Sequence, residues 1–201
     1  MFNFLRLLLP CRLCNIDKAI AKHGLCQDCW DNLPWFHQNI IRQNTTIQVA
    51  CTYQYPLNRV IQQFKYEQQL HYTTLLSEIL LQLKLPRVQA IVPMPISSQR
   101  LAERGFNQAM LLARPLSKHL QVPLWSPIIR HNEQHQKGLT RHERLANIQQ
   151  QFSQHAQLQI RYRRVLIVDD VVTTGSSIRA LSQTLHGIGC SKVYAVCLAS
   201  A

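Results

Sequence analysis

The chain has 201 residues with 22 Lys and Arg against 10 Asp and Glu, a formal charge of +12; 46% of residues are hydrophobic and only 16% charged. That apolar share suffices for a sizeable core and excludes a disordered tail protein, while the shortage of acids excludes an acidic scaffold. The surplus of cations points instead to an anionic partner: a polynucleotide, a nucleotide, a phosphorylated sugar or an anionic membrane surface.

The first eleven residues, MFNFLRLLLPC, superficially match a lipoprotein signal. However, no basic segment precedes the apolar stretch, Arg6 interrupts it, and Pro10 stands where a small residue is required. No apolar run approaches the roughly 20 residues that span a bilayer, so no membrane span and a cytoplasmic location are expected.

Cys11-Arg-Leu-Cys14 and Cys26-Gln-Asp-Cys29 are two CxxC pairs separated by eleven residues. Two residues between cysteines let a tight turn aim both sulfurs at one point, and a second such turn completes the tetrahedral shell of structural zinc. The total of seven cysteines is odd, which argues against a disulfide framework. This predicts a structural Zn²⁺ on Cys11, Cys14, Cys26 and Cys29, with metal binding supplying the folding energy of a segment poor in apolar residues. Four thiolates around Zn²⁺ would bring the net charge down to +10. His23 is expected at the surface, because four cysteines already fill the shell. Trp30 and Trp35 are expected to dock this ribbon onto its neighbour rather than to stack on bases. The boundary is placed near residue 40, giving a ribbon over 1–40 and a second domain over 41–201.

Beyond it, β-branched and aromatic residues over 47–55 predict a strand, and 3.6-type spacing predicts helices over 59–69 and 73–83. A short buried strand follows at 88–92, then a helix at 107–120 kinked by Pro115 and a strand at 122–129. Residues 134–137 read as a loop and 140–150 as a basic helix. The last elements are a strand at 165–168, a helix at 176–186 and a strand at 192–199. Alternating strands and helices give an α/β class with a mainly parallel sheet.

The most informative stretch is Val165-Leu-Ile-Val-Asp169-Asp170-Val-Val-Thr173-Thr174-Gly175-Ser176-Ser177. An apolar strand ends at adjacent carboxylates, and a loop of small hydroxyl residues then opens a helix. Ligands of open α/β sheets bind at the carboxyl ends of strands, and a helix N-terminus offers free N–H groups to a phosphate. Asp169 and Asp170 suit vicinal sugar hydroxyls, directly or through hydrated Mg²⁺. A receiver domain also ends a strand in an acidic pair, but only 31 residues follow Asp170, too few for the rest of one.

The segment from Val168 to Ser177 resembles the phosphoribosyl pyrophosphate signature of type I phosphoribosyltransferases. Other motifs extend the resemblance to most of the chain and to the ComF family, in which a cysteine ribbon precedes such a domain. They are the paired CxxC, Phe64-Lys65-Tyr66, Val92-Pro93-Met94-Pro95, Arg104-Gly-Phe-Asn-Gln108, and Lys137-Gly-Leu-Thr-Arg141-His-Glu-Arg144 with Asn147. Gln68 departs from the pattern, standing where members often carry glycine, so the turn there is expected to differ.

The resemblance implies that Asp169 and Asp170 bind ribose hydroxyls and that Thr173, Thr174, Gly175, Ser176 and Ser177 bind the 5′-phosphate. It places pyrophosphate against Pro93, Met94, Pro95 and Arg104, in a loop that often holds a strained peptide. Lys137, Arg141 and Arg144 become anion contacts of a loop that closes over the site, and Mg²⁺ accompanies phosphoribosyl pyrophosphate. With Asp169 and Asp170, Lys137 and Arg141 are the residues implied in catalysis. The family is linked to natural competence, implying a role in DNA uptake and utilisation with DNA-uptake or recombination proteins as partners.

From Lys84 to Arg164 there are 13 Lys and Arg against 3 acids. Both a pyrophosphate site and a groove for single-stranded DNA, including Arg161, Arg163 and Arg164, would use this surplus. Two functions follow: a competence protein that binds phosphoribosyl pyrophosphate and single-stranded DNA, or an active phosphoribosyltransferase on an unidentified acceptor in nucleotide salvage. No residue that selects a nucleobase stands out, which counts against the second.

Overall fold

In the computed structural model, which describes residues 9–20, 23–131, 151–156 and 161–201, the cysteine loops lead into a short helix α1 (Gln27–Asp31). A hairpin of β1 (Trp35–Arg42) and β2 (Thr45–Thr52) precedes helices α2 (Leu57–Tyr66) and α3 (Thr73–Leu81). Strand β3 (Ala90–Pro93) continues through α4 (Ser98–Arg104) and α5 (Gln108–Leu120) to β4 (Ile128–Arg130). Then come β5 (Phe152–Gln154), β6 (Arg164–Val172), α6 (Ser176–Gly187) and β7 (Lys192–Ser200).

The central sheet has the order β1-β2-β7-β6-β3, and β4 pairs with β5 in a separate antiparallel ribbon. Strands β2, β7, β6 and β3 are mutually parallel, and β1 adds an antiparallel edge. Successive residues of a strand face opposite sides of the sheet. Leu166, Val168, Val196 and Leu198 accordingly join the apolar cluster under α2, α3 and α5, while Val165, Ile167, Ala195 and Cys197 join the cluster under α6. Helix α2 buries Leu57, Val60, Ile61 and Phe64, spacing that aligns one stripe with the sheet. Each such side chain, fully buried, contributes about 1.5–3 kcal/mol.

Among the described residues, the ribbon has no core separate from that of the sheet. Cys11, Leu25, Cys26 and Leu33 are buried in the same cluster as Ala50, Phe64 and Leu76. Arg12 also donates to the carbonyl of His71 at 2.7 Å, tying the first CxxC turn to the 3₁₀ turn Leu70–Tyr72. Residue 40, where the sequence places the boundary, lies inside β1.

Several expectations require correction. The segment 122–129 is not a continuous strand. Leu124 bridges Ile91 and only Ile128–Arg130 is extended, because Pro123 and Pro127 remove ladder donors. Strand β6 runs to Val172 rather than Val168, since its pairing with β7 continues through the acidic residues to Val172 and Ser200. β1 and α4 escaped the periodicity test: the edge strand does not alternate and the seven-residue helix buries nothing. The loop expected at 134–137 and the helix at 140–150 lie outside the described residues. Gln68 keeps a glycine-type turn, with φ 54, at a cost of about 1 kcal/mol for a non-glycine residue.

Candidate functional site

At the carboxyl ends of β3 and β6 lies a cavity of about 380 Å³ walled by Lys65, Tyr66, Met94, Pro95, Arg100, Arg104, Asn107, Gln108, Arg130, Asp169, Asp170 and Ser177, among others. The parallel register aligns the two strand ends, with Pro93 opposite Val168. Asn107 fixes the third wall. Its Oδ1 accepts the N–H of Met110 and caps α5, while its Nδ2 donates to the carbonyl of Met94 at 3.1 Å.

The acidic pair is held tightly. Lys65 Nζ lies 2.8 Å from Asp170 Oδ1, an ion pair with both side chains mostly buried. The same oxygen accepts the N–H of Val171, and Asp169 Oδ1 accepts the N–H of Asp170 at 2.9 Å. Burial, then the neighbouring Asp170 charge, pushes the Asp169 carboxyl up to about 7, against opposing effects that include the nearby Lys65 and Arg130 cations.

A smaller hollow of about 50 Å³ adjoins, formed by residues 171–178 with Asp169. It collects Thr173, Thr174, Gly175, Ser176 and Ser177 at the N-terminus of α6, a 12-residue helix. Thr174 and Ser176 hydroxyls stand 3.0 Å apart. Gly175 caps the helix with φ 77, and a Cβ there would come within 2.6 Å of Arg42 Cβ. Glycine is therefore required twice over, by the left-handed backbone and by the β1 side chain pressed against it.

Of the residues assigned from sequence, Met94, Pro95, Arg104, Asp169, Asp170 and Ser177 share the larger cavity and Thr173, Thr174, Gly175 and Ser176 line the adjoining hollow. Pro93 is buried and does not belong to the cavity wall. Val92–Pro95 carries no cis bond or positive φ, so the strained peptide implied for it is not there; the one cis bond among the described residues is Tyr55–Pro56. Lys137, Arg141 and Arg144 lie outside the described residues. Sequence reasoning missed Lys65, Arg100, Gln108 and Arg130 as cavity residues. Lys65 and Gln108 stood inside quoted motifs, whereas Arg100 and Arg130 carried no signal. Arg104 lies over the ring of Tyr66, 5.2 Å from its centre.

The basic run is elsewhere. Arg163 and Arg164 are exposed at the start of β6, and their N–H groups bond Gln89 Oε1. Five steps along the strand, about 16 Å, separate Arg164 from Asp169. The surplus of cations thus divides between the two ends of the sheet.

At the other end of the sequence, the sulfurs of Cys11, Cys14, Cys26 and Cys29 all lie within 4.8 Å of one another, so the four residues can hold a metal ion. Cys14 and Cys26 sulfurs are 3.8 Å apart, which matches the edge of a tetrahedron with Zn–S bonds of about 2.3 Å. The N–H groups of Leu13 and Cys29 donate to Cys11 and Cys26 sulfurs. Burial raises the Cys11 thiol, but N–H donors from Cys14, Cys26 and Leu13 outweigh it and bring it down to about 6. Burial and the neighbouring sulfurs raise Cys29. His23, expected at the surface, is buried: its ring stacks on Trp30 at 4.1 Å, and its Nδ1 accepts the N–H of Leu25. Trp30 and Trp35 pack against the main apolar cluster. Among the described residues, no helix is long and apolar enough to cross a membrane.

Residues 107–201 match the Phosphoribosyl transferase domain family. Competence protein F of Haemophilus influenzae is 31% identical, covering 96% of each chain. DNA utilization protein YhgH of Escherichia coli is 29% identical over 94% of this chain and 95% of its own length. Competence protein ComFC of Bacillus subtilis is 26% identical over 87% of this chain and 70% of its own. Ribbon cysteines, acidic strand end and hydroxyl loop therefore sit in a chain that is related along almost its whole length to competence proteins: it belongs to the ComF family, with a phosphoribosyltransferase-like domain.

Proposed function

We propose that the protein serves the uptake or use of external DNA in the cytoplasm, binding phosphoribosyl pyrophosphate with Mg²⁺ in the cavity and single-stranded DNA on a separate basic surface. Cys11, Cys14, Cys26 and Cys29 hold a structural Zn²⁺ in this reading, and their use as thiol donors fits a reducing compartment. One observation carries the ligand assignment: the adjacent carboxylates Asp169 and Asp170 share one cavity with Lys65, Arg100, Arg104 and Arg130, and with Glu103, beside a hydroxyl-lined helix N-terminus. A ribose with vicinal hydroxyls, a 5′-phosphate and a pyrophosphate matches that division of donors and acceptors.

Asp169 and Asp170 take the ribose hydroxyls or the water shell of Mg²⁺, and Thr173 to Ser177 take the 5′-phosphate. Met94, Pro95 and Arg104 face the pyrophosphate, with Pro93 holding the strand end behind them. The same reading assigns Lys137, Arg141 and Arg144 to the anion. Bound Mg²⁺ neutralises pyrophosphate oxygens; fixed cations of the chain do the same work in place.

Calorimetric titration with phosphoribosyl pyrophosphate and Mg²⁺ tests the reading. Saturable binding that disappears in the Asp169→Ala, Asp170→Ala double variant is expected. Binding that survives this change refutes the site, as does no binding to the unaltered chain.

Support for the DNA surface comes from exposed Arg163 and Arg164, with Arg164 directly beside exposed Lys192 across the β6–β7 ladder. Like charges paired across strands destabilise a sheet unless an anion offsets them. No recognition-helix motif is present, so binding is expected to be indifferent to sequence. Affinity for a single-stranded oligonucleotide should fall steeply with salt, and Arg163→Glu with Arg164→Glu should shrink the logarithmic slope by roughly two. Affinity independent of salt would discard this surface.

A further inference from the structure

A second cavity, of about 680 Å³, opens at the amino ends of the strands, away from Asp169 and the hydroxyl loop. Its size is that of sites for small organic groups, about 300–1,000 Å³. The register explains it. The β2–β7 ladder starts at Gln48 opposite Val196, yet β2 begins at Thr45 and β7 at Lys192. The two strands therefore part over their first residues, and Thr45, Thr46, Val193 and Tyr194 wall the gap between them.

Its chemistry differs from that of the first cavity. Among the described residues no carboxylate lines it, whereas Glu103, Asp169 and Asp170 line the other. Thr46, Gln48 and Ser182 offer hydroxyl and amide groups, each able to donate or to accept. The half-buried ring of Tyr194 and Pro86 supply apolar faces, and exposed Lys84 supplies a charge. Alternate residues of a strand share a face, so Lys192 stands on the same side of the sheet as Tyr194, about 7 Å along it. Arg164, opposite Lys192 in the β6–β7 ladder, adds a further cation beside it.

We infer that this cleft takes one unpaired base of single-stranded nucleic acid, stacked on Tyr194, while the neighbouring phosphates meet Lys84, Lys192 and Arg164. The inference rests on the reading of the basic end of the sheet as a DNA surface, and deepens it from a backbone contact to the capture of a base. A base has a flat apolar face, an edge of mixed donors and acceptors, and a negative charge on either side. The cleft offers the complement of each. Bases inside a duplex are stacked and out of reach, so a single strand is the form that fits. An added peptide strand would use the same parted edges. The edge of β2 ahead of the ladder, 45–47, is only three residues long, short of the usual five or six, and a neutral main chain has no use for the cations. A lining that both donates and accepts admits any base, so the selectivity is for single strands and not for sequence.

The test uses the full chain and three probes: a thymine oligonucleotide, a strand of the same length with abasic sites throughout, and free thymidine monophosphate. The intact strand should bind about tenfold more tightly than the abasic one, the contribution of one stacked base, with the same salt slope. Thymidine monophosphate, which lacks neighbouring phosphates, should fail to compete with the strand at equal concentration. Tyr194→Leu should erase the tenfold preference and leave abasic binding unchanged, and Tyr194→Phe should keep it. A strand carrying 5-bromouracil should photocrosslink to Tyr194 in the wild-type protein, a readout that needs no variant to fold. Equal wild-type affinity for intact and abasic strands overturns the inference while leaving the basic surface standing. So does a preference that survives Tyr194→Leu, a crosslink elsewhere, or competition by the free nucleotide. If the wild-type chain binds neither strand, the DNA surface itself falls and takes the inference with it.

Discussion

Stripping the metal from the four-cysteine cluster is expected to unfold the whole chain, not only its ribbon. Structural zinc contributes on the order of 10 kcal/mol to the folding of small ribbons, as much as the entire stability of a typical domain. With zinc on the four cysteines, that energy is coupled to the sheet, because Cys11 and Cys26 are buried in the cluster that also holds Phe64, Leu76 and Val168. Losing the cluster opens that apolar layer to water. Metal analysis of a reduced preparation should give one zinc per chain, and a chelator should collapse the melting transition monitored by circular dichroism. Cys11→Ser and Cys26→Ser should reproduce the loss, whereas Cys190→Ala, a buried cysteine outside the cluster, should cost about 1 kcal/mol. A sheet that melts at an unaltered temperature without metal would contradict the shared core.

The second large effect is expected at Lys65. Lys65→Met leaves the mostly buried Asp170 without its cation, and breaking one partner of a buried pair costs about 3 kcal/mol, or roughly 9 °C for a chain of this size. Adding Asp170→Asn should recover most of the loss, and the coupling in that double-mutant cycle measures the pair. The pH dependence carries a sign. Asp169 is raised from 3.8 to about 7, so its folded form holds a proton that the unfolded form gives up. Its share of stability is full below pH about 4 and declines as pH rises toward 7. Ligand binding through the ionised carboxylate moves the other way, strengthening as pH rises through about 7. Removing the Lys65 charge shifts that midpoint upward, and Asp169→Asn abolishes it.

The chemistry was more legible in the sequence than its geometry. The CxxC pairs, the apolar run before Asp169 and the hydroxyl loop are contiguous, so local spacing alone marks them. The cavity is not contiguous: Lys65, Gln108 and Arg130 come from three elements, and only the parallel register of β3 with β6 and the Asn107 strap bring them together. His23 misled because a histidine beside four cysteines reads as surplus, while in the fold its ring supplies a flat face for Trp30. The N-terminal strand β1 hid for a related reason, since an edge strand has no strict alternation to detect. Nor does composition say where charge lies. Arg164 and Asp169 are near in sequence, yet Arg164 opens β6 while Asp169 lies five positions along it, at the cavity.

That separation has a bearing on occupancy. At physiological ionic strength the field of a charge decays over about 8 Å, half the roughly 16 Å between Arg164 and Asp169. A polyanion seated at the amino ends of the strands would scarcely alter the potential felt by a small anion at their carboxyl ends. In the proposed reading, one molecule therefore holds both anions at once, and neither has to leave before the other arrives.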